Sequence, residues 1–247
     1  MEALLRYVEE TQSTNDDVMA LIMADVSHGT AIYAGVQHQA RGRQGRPWFS
    51  PRDRNLALSV AIVGERYAPY LPLIPLAVGV AMAELLQTQT GLAIQLKWPN
   101  DLLIDGKKIG GILCEGVQTG LRFRGAVAGV GINLNVSEDE LPQELRAIAT
   151  SVLIETGQEL SLQMVAASAR TRIVEEIEAL TSGGKDNLLR RWESHDVTRG
   201  RQVEVLSTGQ LGTAEGLEKD GALRVRLEDG SMLTVRSGEV HLRRPEG

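Results

Sequence analysis

The chain has 247 residues, 43% of them hydrophobic and 23% charged, with a formal net charge of -6, which is ordinary globular composition with enough apolar material for a core and excludes a disordered chain. Net negative charge runs against broad nucleic-acid binding, which needs a basic footprint. A single cysteine, Cys114, excludes an internal disulfide, and the four histidines, at positions 28, 38, 195 and 241, are too scattered for a zinc cluster.

No unbroken apolar stretch opens the chain, and the richest apolar window, Leu71 to Leu86, holds Pro72, Pro75 and Glu84 and reads as too short to span a bilayer. A cytoplasmic protein that engages no membrane is expected. At this length the prior allows one large domain or one large and one small.

Leu4 to Glu10 reads as an extended lead-in. Ser13-Thr14-Asn15 follows, then the apolar run Val18 to Met23. A hydroxyl just before an apolar run, with aspartate three residues on, marks a helix start, so Ser13 and Thr14 are expected to cap it. Hydroxyls and amides at such a start are also placed to bind a small polar ligand.

Thr30 to Gln37 is a strand that delivers Gln37 to a loop unlike the rest of the chain. Arg41, Arg43 and Arg46 alternate with Gly42 and Gly45, and Arg52 and Arg54 bring the count to five arginines against one aspartate. Guanidinium forks pair with carboxylate or phosphate oxygens, and glycine lets the main chain come close to a ligand. This loop is built to meet an anion.

Asn55 to Val63 alternates Leu56, Leu58, Val60 and Ile62 with Ala57, Ser59 and Ala61, a strand whose small face invites a closely packed second layer. Leu73 to Gln89 is helical, with Pro75 in its first turn and Gly91 as its stop. Ala93 to Lys97 is a short strand that turns Lys97 to the open face. After Trp98-Pro99-Asn100-Asp101 and the apolar Leu102-Leu103-Ile104, Asp105-Gly106 supplies the positive φ of a tight hairpin. Lys107 and Lys108 follow with opposed directions, so only one faces a pocket. Arg122 to Ile132 is a glycine-rich strand; Gly129 and Gly131 have no third glycine and no following helix, which rejects a dinucleotide fingerprint and points instead to close backbone approach to a ligand.

Ser161 is expected to cap a helix through Leu180, ended by Thr181-Ser182-Gly183-Gly184, with a short helix at Asn187 to Glu193. From Thr198 the texture changes to five short alternating segments separated by Thr208-Gly209, Asp220-Gly221, Asp229-Gly230 and Ser237-Gly238, the pattern of a small β-barrel. The expected division is 1–197 and 198–247.

Ser13-Thr14-Asn15, the arginine–glycine loop, and Lys97-Trp98-Pro99-Asn100-Asp101 followed by Lys108-Ile109-Gly110-Gly111 jointly resemble the catalytic signature of biotin protein ligases, over most of residues 10 to 135. The resemblance implies an α+β fold: a catalytic domain like that of class II aminoacyl-tRNA synthetases, with helices on a mixed, mainly antiparallel sheet, then a small SH3-like β-barrel. It implies activation of biotin by ATP to biotinyl-5′-AMP and transfer to a lysine of the biotin carboxyl carrier protein of acetyl-CoA carboxylase or a similar biotin-dependent carboxylase. By that resemblance Ser13, Thr14, Asn15, Gln37, Arg41, Gly42, Gly110 and Gly111 hold biotin. Arg43 and Lys108 bridge its carboxylate and the α-phosphate, Arg46, Trp48, Lys97, Asn100 and Asn133 contact ATP, and Asp101 binds Mg²⁺ or steers the acceptor lysine. The sequence departs from the family pattern at Gln39 and Ala40, where Ala and Gly are usual. With no room before Leu4 for a helix-turn-helix, the monofunctional kind is expected, and a homodimer is left open.

The chemistry agrees with the charge. A carboxylate acylates an amine at neutral pH only after its oxygen becomes part of a good leaving group, and adenylation brings two anions together, which fixed cations must offset. No Gly-x-x-x-x-Gly-Lys-Ser/Thr pattern is present, so ATP is not held by a P-loop. The rival readings are a lipoate or octanoate attachment enzyme on the same scaffold, a biotin sensor without catalysis, and a nucleic-acid module built on the arginine loop, whose binding would depend steeply on salt.

Overall fold

The computed structural model describes residues 4–236, 238 and 240–242. Ser237 of the expected last turn and the final five residues of the expected second domain lie outside the described residues.

The first part of the chain runs β1 (Leu5–Thr11), α1 (Thr14–Met23), β2 (Ala31–Gln37), β3 (Asn55–Val63), α2 (Ile74–Thr90), β4 (Gln95–Lys97), β5 (Asp101–Ile104), β6 (Lys107–Thr119), β7 (Arg122–Asn133), α3 (Val152–Thr156), α4 (Leu162–Thr181) and α5 (Lys185–His195). Its seven strands form one sheet in the order β1-β2-β3-β7-β6-β5-β4. β1 and β2 are parallel and every other neighbouring pair is antiparallel.

The alternation of β3 decides what packs on each face. Leu56, Leu58, Val60 and Ile62 join the main core with α2 and α4, while Ala61 lies in a smaller cluster with Val18 and Ile22 of α1 and with Val127. Small side chains on that second face let α1 sit close, which brings residues 13 to 15 onto the sheet. α2 is buried nearly all round; Gly91 ends it at φ 75°, where a Cβ would be strained. With the 3₁₀ turns before it, the helical run Glu65–Thr90 spans 26 residues and is long and apolar enough to cross a membrane, longer than the window Leu71 to Leu86 read from the sequence, because Pro72 lies within the 3₁₀ turns and Pro75 in the first turn of α2 and neither breaks the run. Within this fold 67% of its most apolar window is buried, as in the core helix of a globular protein. Arg191 of α5 clamps α2 and α4 through Glu84 at 2.6 Å and Glu176 at 2.9 Å.

The second sheet contains β8 (Gln202–Val205), β9 (Gln210–Leu217), β10 (Leu223–Leu227), β11 (Met232–Val235) and β12 (Val240–Leu242), in the order β11-β10-β9-β8-β12. Each matches one of the expected segments. The two parts are joined at Trp98, whose backbone N–H donates to Thr198 Oγ1 at 2.9 Å and whose indole N–H donates to the Gly221 carbonyl at 3.0 Å. A Cβ at Gly221 would come within 2.9 Å of Leu73 and Leu76, so the turn seats closely on α2.

Candidate active site

A cavity of about 1050 Å³ opens at the ends of β2, β5, β6 and β7, with the arginine–glycine loop along one side. At one end lie Ser13, Thr14 and Asn15, all buried. Ser13 is the N-cap residue of α1, but its side chain makes no capping hydrogen bond, which corrects the capping expectation. The physical reason is that the helix start is turned into the sheet. Thr14 donates its backbone N–H to Gln37 Oε1 at 2.8 Å, and its hydroxyl lies 3.1 Å from the same oxygen and 2.8 Å from Ser59 Oγ. Asn15 donates through Nδ2 to the Leu113 carbonyl at 3.1 Å and to Glu115 at 2.6 Å, and accepts from Ser59 at 2.6 Å. A Cβ at Gly129 would collide with Asn15 Oδ1, which explains one glycine of β7.

Arg41 does not hang free. It makes a bidentate pair with Asp16, at 2.8 and 2.6 Å, and lies 3.5 Å from Glu115. Its guanidinium holds the Asp16 carboxyl below the usual carboxylate range, and the pairing raises the pKa of Arg41 in turn. From this anchor the loop folds back on itself: Gly42 N–H donates to the Arg46 carbonyl at 2.8 Å and Trp48 N–H to the Ala40 carbonyl at 3.0 Å, with Gln44 and Gly45 at positive φ. Ala40, the departure from the family pattern, thus takes part in closing the loop through its main chain.

The middle of the cavity is organised by Lys108. The tight turn at Asp105 and Gly106, φ 47° and 80°, leaves Lys107 exposed at the cavity's edge and Lys108 part-buried within it. Lys108 Nζ lies 2.5 Å from Asp101 Oδ1 and 5.5 Å from the Trp48 ring centroid, and Lys97 Nζ lies 3.5 Å from Asp101 Oδ2. The Lys108 main chain is clamped by Ile148 at 2.8 Å and Thr150 at 2.9 Å. Trp48 in turn rests on glycine: a Cβ at Gly131 would stand 2.9 Å from its indole, and one at Gly111 would stand 3.4 Å from both Trp48 and Lys108. Gly110, expected beside Gly111, is buried and packs against Ile132 and the Gly131 carbonyl instead of lining the cavity, because successive residues of β6 turn to opposite faces.

With this geometry in view, comparisons with known proteins are decisive. The Biotin/lipoate A/B protein ligase family model matches residues 7–133, and the Biotin protein ligase C terminal domain model matches residues 198–243. The chain belongs to the biotin protein ligase family. The biotin--[acetyl-CoA-carboxylase] ligase of Mycobacterium tuberculosis is 32% identical over 260 residues, covering 97% of this chain and 89% of that protein. The bifunctional ligase/repressor BirA of Escherichia coli is 30% identical over 236 residues, covering 95% of this chain and 72% of that protein. The biotin protein ligase of Aquifex aeolicus, solved in complex with biotin and ATP, superposes with a TM-score of 0.84 at 30% identity, covering 97% of this chain and 98% of that one.

In this biotin protein ligase the far end of the cavity, past Trp48, carries Asn100 and Asn133. Asn100 donates to the Ile112 carbonyl at 3.0 Å and Asn133 to the Thr150 carbonyl at 2.9 Å. Among the described residues Asn133 Oδ1 is buried without a partner, an acceptor that calls for a donor. Arg43 borders this cavity and a smaller one of about 240 Å³ beside Cys114, whose thiol is pushed up to about 12 by burial. Among the described residues no three His, Cys, Asp or Glu side chains converge on a point, and both Asp101 oxygens face lysine ammonium groups. That donor set does not fit a resident Mg²⁺.

Several residues of the site escaped the sequence reading. Ser59 and Glu115, which stand behind the cavity wall and hold Thr14 and Asn15, carried a visible sign, a hydroxyl and a carboxylate within segments otherwise apolar or glycine-rich. Ile148 and Ala149, from an irregular crossing segment, and Arg201 and His241, from the second sheet, carried none.

Proposed function

We propose that this ligase binds biotin with its ring against Thr14 and Gln37 and its carboxylate beside Lys108 and Arg43, and ATP along Trp48 and Asn133. The single observation that carries the reading is the placement of Lys108: a half-buried ammonium, aimed by Asp101, midway between a buried polar end and an aromatic end with an unpaired acceptor. The unpaired Asn133 Oδ1 suits the 6-amino group of adenine, and Arg46 and Lys97 add positive charge for the phosphates.

The reaction follows from this arrangement. A biotin carboxylate oxygen forms a bond to the α-phosphorus of ATP as the bond to the pyrophosphate oxygen breaks, giving biotinyl-5′-AMP. Lys108 and Arg43 offset the repulsion between carboxylate and phosphate and the charge that develops at the α-phosphate. The amine of a carrier lysine then attacks the mixed anhydride and AMP leaves. Asp101 orients Lys108 and steers the incoming lysine; Mg²⁺ enters with the triphosphate as part of the nucleotide substrate. The pinned loop from Arg41 to Trp48 keeps water from the anhydride. A polar, hydrogen-bonded end at Thr14, Gln37 and Ser59 favours a ureido ring over the alkyl chain of lipoate or octanoate.

In this reading residues 1–197 form a catalytic unit akin to class II aminoacyl-tRNA synthetases and 198–247 an SH3-like barrel. The acceptor is the carrier domain of acetyl-CoA carboxylase or a similar carboxylase in the cytoplasm, and neither nucleic acid nor membrane is needed. The test is the intact mass of a biotin carrier domain after incubation with the protein and Mg-ATP, with biotin in one sample and lipoate in another. A biotin-sized increase that requires ATP and the acceptor lysine is expected. A lipoate-sized increase, or none in either sample, overturns the reading.

A further inference from the structure

Ser59 lies in the middle of β3, completely buried, and belongs to none of the motifs. Its surroundings fix the direction of every proton in the network behind Thr14. Asn15 donates both to the Leu113 carbonyl at 3.1 Å and to the Glu115 carboxylate at 2.6 Å, so its Oδ1 is held as an acceptor toward Ser59. That acceptor, 2.6 Å away, takes the one proton Ser59 has. The Thr14 to Ser59 contact at 2.8 Å is then a hydrogen bond only if Thr14 is the donor. A Thr14 proton turned elsewhere would leave two buried hydroxyl oxygens facing each other with no hydrogen between them, an arrangement folded proteins avoid. Gln37 Oε1 already receives the Thr14 backbone N–H at 2.8 Å and lies farther from the hydroxyl, at 3.1 Å. Thr14, which lines the cavity, therefore presents only lone pairs to a ligand.

We infer that Ser59 is a positioning residue that sets substrate specificity: by drawing the Thr14 proton inward it makes Thr14 an obligatory acceptor, so an activated substrate must bring an N–H to this point. The inference rests on the biotin reading of the cavity and deepens it. A ureido ring meets the requirement, whereas a dithiolane or an alkyl chain leaves the Thr14 lone pairs desolvated and unpaired, which is how a hydrogen-bonding site rejects an analogue without the matching group. Glu115 holds the other end of the relay and also lies 3.5 Å from Arg41, linking the specificity network to the loop anchor.

The test compares wild type, Ser59→Ala and Ser59→Cys in ATP–pyrophosphate exchange, with biotin and with two cyclic carbamate analogues in which one ureido N–H or the other is replaced by a ring oxygen. Wild type should disfavour the analogue that places oxygen against Thr14 by about 100-fold in kcat/KM. In Ser59→Ala the Thr14 hydroxyl loses its partner at 2.8 Å and keeps only Gln37 Oε1 at 3.1 Å, which already takes a backbone N–H, so its proton can turn outward. Its KM for biotin should rise about fivefold, KM for ATP should hold, and the discrimination should fall about tenfold, with Ser59→Cys, a weaker donor in the same place, in between. A folded Ser59→Ala or Ser59→Cys that keeps the wild-type ratio overturns the proposal, as does an equal loss toward all three substrates. If wild type activates none of them, the biotin reading falls and the proposal with it, and this control separates the two failures.

Discussion

Replacing Lys108 with alanine separates what this residue does for the fold from what it does for the chemistry. Its ion pair with Asp101 at 2.5 Å involves a side chain that is 34% exposed, and Asp101 keeps Lys97 at 3.5 Å after the change. Pairs at this exposure are worth ~0.2–1 kcal/mol, and loss of the cation over Trp48 adds ~0.5–1 kcal/mol. The unfolding free energy should therefore fall by about 1 kcal/mol, with Tm lower by about 2–4 °C for a chain of this size. In the reaction, removing one group that stabilises developing charge in a water-poor site costs ~2.7–4 kcal/mol, a factor of about 10²–10³. Pyrophosphate exchange at saturating biotin and ATP measures the second effect, and thermal unfolding of the same sample measures the first. Exchange within about threefold of wild type in a folded Lys108→Ala protein would refute the assignment.

Arg43→Gly should release biotinyl-5′-AMP and biotinylate bystander lysines, measured by labelling of an unrelated protein mixed with the carrier; unchanged carrier selectivity would count against a retaining role. Gly131→Ala puts a methyl 2.9 Å from the Trp48 indole, so KM for ATP should rise about tenfold, ~1.4 kcal/mol, while calorimetric affinity for biotin moves less than threefold; equal losses for both ligands would remove Trp48 from the nucleotide end. His28 accepts the Val63 N–H at Nδ1 at 3.1 Å, and burial lowers its pKa, with Glu178 at 3.6 Å opposing and Arg66 and Arg170 reinforcing the shift. The unfolded chain then binds the extra proton, so this contribution is full above the unfolded value of about 6.5 and is lost as pH falls from there through the folded value. Urea unfolding at pH 7.5 and 5.5 should show a larger loss for wild type than for His28→Gln, and equal losses would sink the argument.

How much of this was legible in the sequence depended on how local the determining physics was. The five strands of the second sheet were readable because each turn is set by its own residues: Gly209, Gly221 and Gly230 all sit at positive φ, where glycine is needed. The opposed directions of Lys107 and Lys108 were readable for the same reason, since the two-residue hairpin at Asp105-Gly106 sets the alternation; the choice of Lys108 came from the family resemblance. The motif residues were found, but their partners were not. Nothing local to Arg41 announces Asp16, 25 positions away, and nothing local to Asn15 announces Glu115, 100 positions away. Ser13 was misread as a cap because a Ser-Thr pair before an apolar run suits either capping or burial against a sheet, and only the register of β3 beneath it decides. Gly110 was grouped with Gly111 because a glycine pair looks uniform in sequence although a strand turns its two members to opposite faces.

Glycine in this site does one job repeatedly, and that ties the fold to the chemistry. Gly111, Gly129 and Gly131 lie on the central strand β7 and its neighbour β6 where Lys108, Asn15 and Trp48 press on the sheet, and at Gly129 and Gly131 a Cβ would displace the group above it. The sheet gives up side-chain packing on a short patch so that three functional groups from distant parts of the chain can rest on bare backbone. Gly129 and Gly131 of β7 stand opposite Ser59 and Ala57 of β3 in the antiparallel register. The relay that holds Thr14 is thus built on the same strand pair as the floor beneath Trp48. A shift of β3 against β7 by one residue would turn Ser59 to the opposite face and put Leu58 or Val60 in its place, removing the acceptor polarity of Thr14 while the glycine floor of β6 and β7 stays where it is.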